Sequence, residues 1–168
     1  MAITKIQSES LNLADTYDFT GTVTGAGGTN TPAFHARGYG TQAITIGTAT
    51  KLTFATEEVD TDSAFASNRF TVPSGKAGKY YFYSAMRHNT QNGSGQSDVV
   101  LKIYKNGLFY NNHQMTYYDN TAQIEFVSIS AIMDLAASDY IEIYLLVDSG
   151  TFTAVYDDRM FLGHKLIT

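Results

Sequence analysis

The stretch GKYYFYSAM, Gly78–Met86, restricts what this chain can fold into more than any other segment. In an extended strand, successive side chains face opposite ways. Tyr80 and Phe82 then share one face, and Tyr81 and Tyr83 share the other. A strand with rings on both faces needs two covers. A two-layer β-sandwich supplies one of them. The second is most simply another copy of the chain packed onto Tyr81 and Tyr83. The alternative leaves these two as half-exposed sheet tyrosines whose hydroxyls reach water.

The rest of the sequence reads as strands too. It contains 12 Tyr, 10 Phe and abundant Thr against only 2 Pro, which favours pleated surfaces over helices. In DVVLKIYKNG, Val99, Leu101 and Ile103 alternate with Val100, Lys102 and Tyr104. Asn106-Gly107 follows, a pair suited to positive φ and a tight hairpin. EFVSISAIMDL sets Phe126, Ser128, Ser130 and Ile132 against Val127, Ile129, Ala131 and Met133. DYIEIYLLV sets Tyr140, Glu142 and Tyr144 against Ile141, Ile143 and Leu145. Turn-forming breaks at TNTP, DTDS, TQNGSGQ, YDN and DSG separate the strands, a spacing that suits a sandwich or barrel. The expected fold is all-β, with residues 32–168 as one domain. Residues 1–31 read as an extended arm ending in a Gly/Thr linker. Its apolar anchors are Ile3, Ile6, Leu11, Leu13, Tyr17 and Phe19.

Charge and composition narrow the function. Lys plus Arg number 11 and Asp plus Glu 16, a net −5 with no basic cluster, so nucleic acid is not the expected partner. There is no Cys, which excludes disulfides and thiolate metal sites. No signal-peptide core and no run of membrane-spanning length occur, so membrane insertion is not expected.

Catalytic patterns are absent. His35, His88, His113 and His164 fall in no metal-ligand spacing, and no nucleophile elbow, phosphate loop or dinucleotide fingerprint occurs. No catalytic residue and no cofactor is expected. Clustered carboxylates at Glu57, Glu58, Asp60 and Asp62 are candidate calcium ligands, although an EF-hand's Gly and closing Glu are missing; solvated loop charge is the competing reading. Two polar segments, His88–Asp98 and Met115–Gln123, read as loops suited to receptor contact. Their candidate residues are Asn92, Ser94, Gln96, Tyr117 and Tyr118.

NRFTVPSGKAGKYYFYSAM resembles the signature of the globular head of complement's first component, a trimeric jelly roll shared in shape with tumour necrosis factor. Phe70, Pro73, Gly78, Tyr80 and Phe82 carry the match. Asn106 and Gly107 match the family's hairpin, and Phe161 and Gly163 its closing strand. Ser138-Asp139 stands where the family has Gly-Asp, and His164 where it has an aromatic. The resemblance implies a jelly-roll β-sandwich that assembles as a homotrimer. Glycines 25, 27 and 28 have no period of three, so residues 1–31 carry no collagen repeat. The arm, ITKIQSESLNLADTYDFTGTVTGAGG, resembles the leaders of marine bacteriophage virion proteins. Together these resemblances imply a non-enzymatic virion structural protein, made in the host cytoplasm and tethered through its arm to other virion proteins. A tail-fibre or tail-associated module that recognises a host surface glycan or protein is the expectation. The alternative is a capsid decoration protein clamped onto the shell by the arm.

Overall fold

A computed structural model describes residues 30–90, 96–118, 123–148, 154–155 and 158–166. Among them every regular element is a strand. The first six are β1 (Ala33–Gly38), β2 (Gln42–Ala43), β3 (Thr50–Lys51), β4 (Thr56–Asp60), β5 (Phe65–Ala66) and β6 (Arg69–Thr71). The long central strands are β7 (Gly78–Thr90), β8 (Gln96–Lys105), β9 (Leu108–Tyr118) and β10 (Gln123–Leu135). Last come β11 (Tyr140–Val147), β12 (Ala154–Val155) and β13 (Arg159–Lys165).

These form two antiparallel sheets. One runs β10-β7-β13-β1-β4; the other runs β5-β6-β11-β8-β9, with β3 also pairing β11. Strands β2 and β12 make a small third pairing. Chain neighbours repeatedly cross between the sheets, as β7 to β8 and β9 to β10 do, and this wraps the sandwich as a jelly roll.

The alternation seen in the sequence decides which side of each strand is dry. On β7, Tyr80, Phe82 and Met86 are fully buried, while Tyr81, Tyr83 and Ala85 are half-buried on the outer side. Val99, Leu101 and Ile103 on β8, Val127, Ile129 and Met133 on β10, and Ile141, Ile143 and Leu145 on β11 complete the core. Its centre is a ring cluster. Phe34 stacks on Phe65 at 5.1 Å and on Phe70 at 4.9 Å, and meets Phe161 edge-on at 4.8 Å. Such pairs add about 0.5–1.5 kcal/mol each beyond area burial. The buried Tyr80 hydroxyl donates to the Lys76 carbonyl in the Pro73 turn, so this core tyrosine leaves no polar atom stranded.

Close approach explains Gly163. A Cβ there would lie 2.5 Å from Phe82 Cδ1 and 2.9 Å from Phe34 Cε1. Asn106 and Gly107 close the β8–β9 hairpin with φ of 52° and 77°, both left-handed, as a two-residue primed turn requires.

Three expectations change. The acidic segment at Glu57–Asp60 is not loop but edge strand β4. Its pairing with β1 sets Glu58 against His35 and Arg37, so opposite charge holds an acidic strand in place. Parts of His88–Asp98 and Met115–Gln123 are strand and not loop: β7 runs to Thr90, β8 starts at Gln96, β9 runs to Tyr118 and β10 starts at Gln123. The end of β7 pairs with β10, and the start of β8 pairs with the end of β9, so backbone pairing outweighs composition. Anchors Ile3, Ile6, Leu11, Leu13, Tyr17 and Phe19, and loop residues Asn92 and Ser94, lie outside the described residues.

Candidate self-association face and its neighbours

The five-stranded sheet has one face on the core and one facing outward. Across that outer face, Tyr81 on β7 lies between Ile132 on β10 and His164 on β13. Tyr83 lies between Ser130 and Leu162. The His164 ring tilts against Tyr81 at 5.7 Å. Tyr81, Tyr83, Leu162 and Met160 are half-buried, while Ile132 and Phe126 are each 62% exposed. Charge sits at the margins: Lys79 pairs with Asp134 at 2.8 Å at one end, and Arg37 with Asp158 at 3.0 Å at another. An apolar middle inside a charged rim is the anatomy of a protein interface.

An open groove of about 320 Å³ adjoins this face, where β9 passes the edge of β10. Tyr83, Asn111, Asn112, Ser128 and Ser130 line it. His113 Nδ1 lies 2.6 Å from the Ser128 carbonyl oxygen. A carbonyl only accepts, so Nδ1 carries the proton.

On the other sheet, sequence reasoning missed a charged cluster. Glu142 sits on the outer side of β11 yet is only 3% exposed. Its Oε1 accepts Lys51 Nζ at 2.6 Å and Arg69 Nη2 at 2.8 Å, and Tyr144 donates to Oε2 at 3.4 Å. Burial pushes the Glu142 carboxyl up, but the hydrogen bonds and charges of Lys51 and Arg69 outweigh it and hold the group below the ordinary carboxylate range. The signal was a lone carboxylate in mid-strand with a tyrosine two residues away on each side. Arg159 was missed as well. It is 3% exposed and donates to the Thr53 and Gly40 carbonyls at 2.6 and 2.8 Å.

The candidate calcium ligands are not brought together. Asp60 caps the turn into β5, accepting Ala64 N at 2.8 Å and Phe65 N at 3.0 Å. Asp62 faces Lys76 at 3.4 Å. Glu58 faces His35 and Arg37. Glu57 is exposed, beside Ala36 in the register. Among the described residues no three His, Asp or Glu side chains converge as metal ligands. The signature residues Phe70, Tyr80, Phe82 and Phe161 are all fully buried, and Gly78 opens β7. Gln96, Tyr117 and Tyr118 have strand backbones, with Gln96 opposite Tyr118 in the β8–β9 register.

No protein-family model matches the chain, and no curated protein matches it. Among solved structures it is similar to the globular domain of a zebrafish complement 1qA protein. The likeness covers 80% of this chain and 96% of that one, with a TM-score of 0.58 and 18% identity. The two share a fold. At that identity the likeness says nothing about activity.

Proposed function

We propose that the chain is a non-enzymatic structural head that self-associates as a homotrimer through the outer face of its five-stranded sheet. The observation that carries this is the Tyr81–Tyr83–Leu162 patch with Ile132 and Phe126 exposed beside it. In a lone chain it would leave apolar rings facing water. A second copy is the occupant that matches an apolar centre and a rim of both charges. Threefold closure is what the resemblance to complement heads implies.

The head's setting is a bacteriophage virion, with the arm as tether and the head as a tail-fibre or tail-associated host-recognition module. Only the likeness of the arm to virion leaders supports this setting. Capsid decoration remains the second reading, since an arm that holds a head on a shell needs no receptor. Purified protein should bind host cells if the head is an adhesin. A decoration protein should ignore cells and bind shells, and deletion of residues 1–20 should release it. Protein that binds neither cells nor particles sinks both virion readings while leaving the trimer untouched.

A further inference from the structure

The outer face of the six-stranded sheet is built unlike the rest of the surface. Two rungs cross it. In one, Glu142 on β11 neighbours Tyr104 on β8, which neighbours Phe109 on β9. In the other, Lys51, Tyr144, Lys102 and Asn112 lie side by side on β3, β11, β8 and β9. Ring centroids step 4.3 Å from Tyr144 to Tyr104 and 6.2 Å on to Phe109, so the floor is a continuous aromatic strip. Phe109 is 55% exposed.

Cations border the strip. The Arg69 guanidinium lies 3.8 Å over the Tyr140 ring, and Lys102 Nζ is 5.7 Å from the Phe109 centroid. Lys51, Arg69 and Lys102 bring three positive charges, and Glu142 cancels one. The remaining two sit on a chain whose total is −5. Of the carboxylates at the ends of the face, Asp139 is neutralised by Lys105 at 2.9 Å, while Asp98, at the far end of β8 from Tyr104 and Phe109, accepts Thr116 Oγ1 at 2.6 Å and keeps its charge.

We propose that this strip binds an anionic glycan. Sugar rings, apolar on their faces and polar at their edges, stack on Tyr144, Tyr104 and Phe109. Carboxylate or sulfate groups pair with Lys102 and with the uncancelled charge of Lys51 and Arg69. A nucleic acid would stack as well, but its affinity comes from a run of phosphate contacts, whereas sugar rings stacked on the strip need only one or two paired acid groups, which the few cations here supply. This face lies on the sheet opposite the self-association patch. The inference rests on the recognition role proposed above for its biological use, but binding is measured without particles and without regard to oligomeric state.

The test is calorimetric titration of the full chain with polygalacturonate, dextran sulfate, neutral dextran and a single-stranded oligothymidylate. At least one anionic polysaccharide should bind, neutral dextran should not, and affinity should fall as salt rises to about 0.5 M. The double substitution Lys102→Ala with Phe109→Ala should weaken binding about tenfold. Its melting temperature should hold, since Phe109 leaves mostly surface. Equal binding of neutral dextran, tighter binding of the oligothymidylate, absence of any polysaccharide binding, or a double variant that binds like the parent overturns the proposal.

Discussion

Glu142 shows how much one side chain can decide. A carboxylate this buried is destabilising unless it is paired, and here two cations share one of its oxygens. Replacing it with Gln keeps the shape but leaves Lys51 and Arg69 facing each other across a neutral amide. Glu142→Gln should cost about 2–3 kcal/mol, discounted from a fully buried pair because both cations are partly solvated, and urea unfolding would measure it. Asp139 works at a similar scale. It accepts hydrogen bonds from Asn106, Lys105 and the Ala136 amide, which together lower its pKa from 3.8 to about 2. A depressed carboxyl stabilises the fold above its unfolded pKa and loses that contribution as pH falls through the folded one. The gap in melting temperature between the parent and Asp139→Asn should therefore be full at pH 6 and close between pH 3.8 and about 2. A gap that stays constant over that range would show that the Asp139 charge contributes nothing.

Asp139 also links elements, because it follows β10 while its partner Asn106 belongs to the β8–β9 hairpin. Asn106 Oδ1 accepts Tyr140 N at 2.8 Å while its Nδ2 donates to Asp139 at 2.7 Å, so the β8–β9 turn is clasped to the β10–β11 turn. At the closing strand, Gly163→Ala would drive a methyl into Phe82 and Phe34. It should cost about 1–3 kcal/mol, read as a lower urea midpoint with unchanged slope. A neutral outcome would mean that the two rings can retreat.

Much at this scale was legible. On β8, β10 and β11 the structure buries the side the alternation selects, and it buries Val100 and Glu142 on the other side as well. Strand β4 was not legible, because four of its five residues are exposed and its only reason to be extended is the cationic partner strand 19 or more residues upstream. The rings Phe34, Phe54 and Phe65 carry no alternation long enough to betray them, yet they fill the centre of the core. Glu142 was visible as a residue, but its burial depends on Lys51 and Arg69, 91 and 73 residues away. Periodicity records which way a side chain points. It does not record what covers it.

The same gap defines the molecule as a whole. Periodicity put Tyr81 and Tyr83 opposite the core, and the structure leaves them half-covered on a sheet face with Ile132 and Phe126 bare beside them. The two sheets thus present surfaces of different character: one apolar at its centre and suited to its own copy, the other lined with tyrosines and cations. Self-association through the apolar face is the central claim, and sedimentation velocity on the full chain at roughly micromolar concentration tests it most directly. The account predicts a single species of three chain masses, and a folded monomer once Ile132→Arg places a charge in the patch. A monomeric parent, or an Ile132→Arg variant that still sediments as a trimer, contradicts it.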